Sequence, residues 1–395
     1  LRVRMIPQHP RLDMGTLALA RARGKHSFPS IIDNKVCFAT MNARSALQIG
    51  LGCLGLQKDD EVLVPAYHCP VMVYPILKSG CRAVFYKIKE DLFPDFTDLR
   101  QKLGPRSKIL IAVHYFGFPT GMMELRALCN ENKLYLIEDC AHAFFGYTDG
   151  GAIGSFGDFS IGSLWKFFPL YEGGVLAFGN PGLAEKAKVV KGSVKLVVKL
   201  LVNTLEVRGN PAIGRLLSRA VLRLKRLKEH SGREDTGDRV NSPGSAETPR
   251  NPYRAEIIGS TYSRASIPLL VKLVPRFVDR REIVRRRRRN YYVLHEEVRK
   301  IRGVEGIFRE LPEGCVPYVF PIVSRFANEL ARTLRKNGIE ILRFGEYLWD
   351  GVDEKVCKLS SELSKYCIQL PIHQSMRERD VKMVSEIIRR FSRNE

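Results

Sequence analysis

Three short segments hold residues whose types and spacing could do chemistry. In the first, Tyr135 to His142, an apolar run ends in Glu138, Asp139 and His142. An acidic residue at the carboxyl end of a buried parallel strand lies where α/β sheets place ligands. A buried carboxylate there needs a positive partner or hydrogen-bond donors. A protonated pyridine nitrogen would supply one, with Asp139 keeping its proton in place; a strand-end Asp capping the next helix is the plainer reading. In the second segment, Phe159 to Lys166 followed by Glu172-Gly173-Gly174, Lys166 stands among aromatic and aliphatic neighbours. Such a lysine can have its pKa lowered and become a Schiff-base nucleophile, or it can lie on the surface with its stem over apolar residues. In the third, Thr40 to Leu47, small and polar residues open a helix directly after a strand, a usual seat for phosphate. Arg44 and the amides at the helix start would hold a dianion, while plain N-capping by Asn42 explains the same residues.

The elements around these segments alternate. Ala43 to Leu54, Val71 to Lys78 and Met122 to Asn132 read as helices. Glu61 to Pro65, Ala83 to Tyr86, Lys108 to Val113, Leu134 to Glu138 and Gly174 to Phe178 read as strands. Strands alternating with helices imply an α/β protein with an open, mostly parallel sheet covered on both faces. Residues 1–35 read as a polar lead-in and 36–273 as a large domain, which carries basic helices at 183–229 and a polar loop at 230–252. Residues 274–395 read as a linking helix, roughly Val274 to Ile301, and a small α/β domain. In that domain Val316 to Val323, Ile339 to Leu342 and Ile368 to Pro371 are expected strands. Asn328 to Asn337 and Glu378 to Phe391 are expected helices.

Helix start, strand-end Asp, lysine and Gly-Gly, in that order, resemble fold type I enzymes that use pyridoxal 5'-phosphate (PLP). More narrowly, the chain resembles the DegT/DnrJ/StrS sugar aminotransferase family. The matching stretches are Asn42 to Leu47, Asp59 to Pro65, Val113 to Gly117, Glu138 to His142, Gly157 to Lys166 and Glu172 to Gly174, then Arg286 to Tyr292, Asn337 to Glu340 and Gln369 to Ile372. The resemblance implies the PLP-dependent transferase fold type I, with a seven-stranded-type, mostly parallel sheet. It implies that Lys166 holds PLP covalently and shuttles a proton, that Asp139 pairs with the pyridine nitrogen, and that His142 lies near the ring. Ser163, with the amides of Ala43 and Arg44, is implied as the phosphate site. The family usually has an aromatic residue after V-P-x-x-T; here Cys69, preceded by His68, occupies that place, so one of these two is expected to cover the ring. The activity implied is transfer of an amino group from an amino acid, glutamate in the first instance, to a keto-sugar that is usually nucleotide-linked, in glycan or secondary-metabolite biosynthesis. A homodimer is implied, and Arg343 or Tyr347 is expected to touch substrate. Two rivals are a PLP-dependent sugar dehydratase, a branch that carries histidine in place of the lysine, and a non-catalytic regulatory or membrane-surface protein on the same scaffold.

The chain of 395 residues has a net charge of +22, and 45% of its residues are hydrophobic. These are globular proportions, so general disorder, a collagen-like repeat and a disulfide miniprotein are excluded. Residues 181–300 alone hold 28 basic and 12 acidic residues, so the charge lies mainly outside the three segments. Its best reading is amphipathic helices packed on the large domain with solvated charges; contact of 183–229 with an anionic membrane surface is one alternative, and an anionic partner or a funnel for anionic substrate is another. The run Arg285 to Arg289 lies within an expected helix and no nucleic-acid motif accompanies it, so nucleic acid is not expected. Nine widely spaced cysteines without a C-x-x-C suggest reduced thiols in a cytoplasmic protein, and no metal site. No secretory signal is expected from Leu1 to Pro10, and no apolar run reaches the length of a bilayer span.

Overall fold

The structure, a computed structural model, describes residues 5–12, 28–34, 36–148, 150–192, 194–207, 265–266 and 278–394. Seven strands form one sheet: β1 (Val36–Thr40), β2 (Glu61–Pro65), β3 (Arg82–Tyr86), β4 (Ser107–Val113), β5 (Tyr135–Cys140), β6 (Phe159–Ser163) and β7 (Gly174–Phe178). Their spatial order is β1-β7-β6-β5-β4-β2-β3. β7 runs antiparallel to both of its neighbours, and the pairings from β6 through to β3 are parallel. The central strands read as continuous apolar runs because both faces are covered. Val62, Leu63, Val64 and Ile109 to Ala112 are all fully buried.

Helices α1 (Ala43–Leu51), α2 (Val73–Lys78), α3 (Phe96–Lys102) and α4 (Met122–Glu131) connect these strands, and α5 (Val194–Val207) follows β7. α1 starts where it does because Asn42 Oδ1 accepts from the Ser45 amide at 3.0 Å; α3 starts at Asp95 by the same device. The crossovers leave the carboxyl ends of β2, β4, β5 and β6 at one sheet edge, where this topology opens a crevice.

Helix α6 (Arg280–Val298) leads into the small C-terminal unit, a three-stranded antiparallel sheet of β8 (Glu305–Gly306), β9 (Val319–Val323) and β10 (Cys367–Pro371). Helices α7 (Ala327–Lys336), α8 (Lys358–Tyr366) and α9 (Glu378–Asn394) surround it. The arginine run in α6 does not form one solvated stripe. Arg285 and Arg286 reach back to Glu282. Arg288 donates to the carbonyls of Pro312, Glu313 and Cys315. Arg287 is fully buried, on the Phe167 ring at 4.5 Å and on the carbonyls of Lys166, Pro317 and Tyr318.

Two expectations fail here. The segment Ile339 to Leu342 is not a strand. It makes one isolated bridge, with Ile6 donating to the Gly338 carbonyl and accepting from the Glu340 amide, both at 2.8 Å. The described part of the lead-in is correspondingly not a polar tail, since Ile6, Gln8 and His9 are buried. α3 and α8 lacked a sequence expectation. The polar loop at 230–252 and the basic helix beyond 207 lie outside the described residues. Among the described residues no two cysteines form a disulfide. Among the described residues no helix is long and apolar enough to cross a membrane.

Candidate active site

A cavity of about 320 Å³ lies at the carboxyl edge of the sheet. Asp139, level with Val113 on one side and Ile161 on the other, forms its floor. Ser163 and Lys166 enter from the end of β6, Asn42, Ala43 and Arg44 from the start of α1, and Cys69 from the loop after β2. The small unit adds Tyr318 and Leu342 to Tyr347. The structure therefore brings together every expected site residue except His68.

His68 is buried behind the wall. Its Nδ1 bonds the Ala66 carbonyl at 2.9 Å and its Nε2 accepts from the Trp349 amide at 3.1 Å. Burial lowers its pKa to about 4, so the ring is neutral at physiological pH and joins the small unit to the large one. Cys69 lines the cavity. Arg343 lines it too, but its guanidinium bonds to Asn328 Oδ1 and to the carbonyls of Cys367, Ser364 and Lys365. It thus fastens the 342–347 loop to α7 and α8. Tyr347 is exposed at the cavity mouth.

The electrostatics at the floor are unusual. Burial raises the Asp139 carboxyl above its ordinary value; the Ala141 amide, donating at 2.8 Å, then Lys166 and His114 oppose the rise. Burial also lowers the Lys166 ammonium, with Cys69 and Asp139 pulling the other way. A carboxylate and a lysine both displaced toward neutrality in one cavity mark a site built for a ligand. His142 is held well below 6.5 by burial and then by the Lys166 charge. The Phe116 amide donates to its Nδ1 at 3.4 Å, so the neutral ring carries its proton on Nε2.

The Gly173-Gly174 pair has a steric cause. Gly174 lies level with Thr40 on one side and Ser163 on the other. A Cβ on it would stand 2.2 Å from the Asn42 carbonyl carbon. The bare backbone is what lets Ser163 meet the start of α1. Gly174→Ala is expected to cost about 3 kcal/mol of stability and to weaken phosphate-dependent cofactor binding at least tenfold. Thermal melts with and without PLP measure both, and a variant that melts and binds like the parent refutes the close-approach account.

Beneath the floor, Glu138 accepts from His114 Nε2, the amides of Gly154, Phe156 and Gly157, and Ser160 Oγ. His114, Glu138 and Cys140 lie close enough together to hold a metal. However, these donors fill the carboxylate, and His114 Nδ1 takes the Thr120 amide, so the cluster is a hydrogen-bonded brace. Burial pushes the Glu138 carboxyl up, and His114 with the Gly154 and Phe156 amides outweighs it, leaving the carboxyl below 4.5. A carboxylate with a depressed folded pKa contributes stability above its unfolded value and loses it as pH falls through the folded one. Unfolding free energy should therefore drop as pH falls below 4.5. Glu138→Gln should cost about 3 kcal/mol at neutral pH and flatten that part of the profile. Denaturant titrations across this range test it; an unaltered acid slope in the variant would contradict it.

The sheet order with its single reversed strand, and the aspartate and lysine facing one cavity, define the class: the fold of PLP-dependent transferases of fold type I. Residues 25–197 match the model of the DegT/DnrJ/EryC1/StrS aminotransferase family, a stretch that contains the cavity residues from Asn42 to Lys166. The GDP-perosamine synthase of Vibrio cholerae is 32% identical over 179 residues, 43% of this chain and 49% of that protein. The UDP-N-acetyl-3-dehydro-alpha-D-glucosamine 3-aminotransferase of Acidithiobacillus ferrooxidans is 32% identical over 143 residues, 36% of this chain and 37% of that protein. The chain thus spans about half or less of the length of the curated relatives it matches. The solved structure of the aminotransferase TlmJ from Streptoalloteichus hindustanus superposes with a TM-score of 0.68 at 21% identity, over 98% of both chains. The shared fold therefore runs through the small unit as well.

Tyr318 and His9 had no sequence-based expectation. Tyr318 stacks on His142 at 4.9 Å between centroids, and His9 Nε2 meets the Tyr318 hydroxyl at 2.5 Å.

Proposed function

We propose that this protein is a PLP-dependent aminotransferase that moves an amino group from an amino acid, glutamate first among candidates, to a keto-sugar carried on a nucleotide. The observation that carries the reading is the placement of Lys166 and Asp139, each within the other's electrostatic influence, in one cavity at the carboxyl edge of the sheet. The residues fit the cofactor: Asp139 is a buried carboxylate whose ionised form lacks a full positive partner, and a pyridinium N–H supplies one. Ser163, Arg44 and the first-turn amides of α1 suit a phosphate dianion. Asn42 contributes by capping, because its Oδ1 is already taken by the Ser45 amide and hydroxyl. PLP, when bound, supplies an electron sink for the carbon that loses its proton.

Lys166 then acts in two roles, as covalent anchor and as the base that carries the proton between substrate carbon and cofactor. Its lowered pKa suits both, because the neutral amine is the reactive form. Asp139 holds the ring nitrogen protonated. His142, which lines the cavity with its proton on Nε2, would be a neutral hydrogen-bond donor toward the ring. The loop 342–347, which lines the cavity and is tied to the large unit by the bond from the Tyr67 hydroxyl to the Phe344 carbonyl at 2.7 Å, would limit the access of water.

The test is a screen of amino donors against nucleotide-linked keto-sugars, with 15N-glutamate as tracer. Label in the sugar supports the reading; a dehydrated sugar formed without donor nitrogen would establish the lyase alternative instead. The large unit at 36–273, the small one at 274–395 and a homodimer are part of the same proposal, the dimer to be checked by light scattering. Peripheral membrane contact through 183–229 has less support. In the described part of that stretch Leu200 is buried, and Thr204 Oγ1 accepts from the Tyr171 amide at 3.2 Å, both of which favour packing on the large unit. Equal flotation with anionic vesicles of chains with and without 183–229 would dispose of the membrane idea.

A further inference from the structure

We propose that His9, delivered by the N-terminal strap, is a positioning residue that acts on Lys166 through Tyr318. The inference rests on the reading of Lys166 as the residue that holds the cofactor. Among the described residues no hydrogen bond takes Lys166 Nζ. Two aromatic walls set its place instead: the Tyr318 ring, with Nζ 5.5 Å from its centroid, and the Trp165 ring at 5.9 Å. A cation at this range is drawn to the ring face, so the ammonium follows the Tyr318 ring wherever that ring is held.

Tyr318 is held from the far end of the sequence. The strap runs beside the segment after α7. Ile6 bridges Ile339, and Gln8 joins both the Glu340 carboxylate, through its amide, and the Leu342 amide, through its side-chain oxygen. His373 Nε2 bonds the Pro7 carbonyl at 3.0 Å. These contacts tie the strap to the chain that enters the cavity-lining loop and to His373, and bring His9 into the core, 1% exposed. There its ring stands 4.3 Å from Trp165, and its Nε2 shares a hydrogen bond of 2.5 Å with the Tyr318 hydroxyl. One imidazole therefore touches both aromatic walls of the lysine. The same Tyr318 ring packs on His142, so its orientation sets two of the groups that face the cofactor. Removing the imidazole takes away the bond that orients the phenol from this side, and a misplacement of this kind lowers a rate without lowering substrate affinity.

The first measurement is reductive methylation of Lys166 in the full chain freed of cofactor, read by mass spectrometry against the exposed Lys133 as internal reference. His9→Leu and Tyr318→Phe are each expected to raise the relative labelling of Lys166 about threefold, because Nζ is no longer pinned against the ring. His9→Gln, which keeps an acceptor for the phenol, should restore the parent rate. The double variant should label no faster than either single one, since both remove the same link. In the PLP-loaded enzyme, the donor half-reaction should slow about tenfold in His9→Leu with the half-saturating donor concentration unchanged. Tyr318→Phe alters one oxygen, so it stays informative if His9→Leu fails to fold. Parent-like labelling in both single variants, or effects that multiply in the double variant, would overturn the proposal. Failure of the parent to take up PLP would sink the reading of the site while leaving the labelling comparison to decide on His9.

Discussion

Lys166→Ala should abolish the visible absorbance that the parent protein acquires with PLP and lower the amino-transfer rate about 10,000-fold or more. The lysine is asked to do two things, and alanine can do neither. On the proposed reading it is the covalent anchor, so borohydride should fix the cofactor to the Lys166 peptide of the parent and to nothing in the variant. On the same reading it is also the base, placed where burial lowers its ammonium pKa and Cys69 and Asp139 limit the fall. The fold should survive. The Lys166 side chain has no hydrogen bond among the described residues, and the backbone there is held through its carbonyl by Arg287 at 3.2 Å. Circular dichroism and a thermal melt should therefore match the parent. A variant that still turns yellow with PLP and converts on glutamate would remove Lys166 from the mechanism.

The sequence showed the parts of this site that are local and hid those that are assembled from afar. Asp139, Ser163 and the start of α1 were legible because each sits at the end of a strand or the beginning of a helix whose apolar pattern is unbroken. Strand ends at one sheet edge converge by topology alone. The Gly-Gly pair was legible as a motif, but its cause, contact with Asn42 from another strand connection, was not. His68 and Cys69 are adjacent in sequence, and only the turn after β2 decides which of them faces the cavity. Arg343 is expected from the sequence to touch substrate, and it does line the cavity, but nothing local shows that its guanidinium is also engaged elsewhere. Its fate depends on the carbonyls of α8, some twenty residues further on. Tyr318 and His9 are 309 residues apart, and nothing in either neighbourhood announces the other. The strap that joins them also explains the failed strand at Ile339, since its partner there is a single residue of the N-terminal segment rather than a neighbouring strand.

Asp139→Asn should separate stability from function in opposite directions. In the folded protein burial raises this carboxyl above 3.8, so the folded state binds its proton more readily than the unfolded chain does. The ionised group consequently opposes folding at neutral pH, and the opposition fades as pH falls toward the folded value. Asparagine keeps the shape and the acceptor for the Ala141 amide, and it carries no charge to bury. The cofactor-free variant should therefore melt at or above the parent's temperature at neutral pH, with the gap closing in acid. Function should go the other way. A neutral amide cannot hold a ring nitrogen in its protonated form, so the electron sink is lost and amino transfer should fall by about 1,000-fold or more. PLP can still be anchored through Lys166, so the visible band should persist where Lys166→Ala loses it. That contrast assigns the two residues different roles within one cavity. A destabilised but active Asp139→Asn would show the aspartate to be part of the framework, capping the turn at Ala141, with no hand in the reaction.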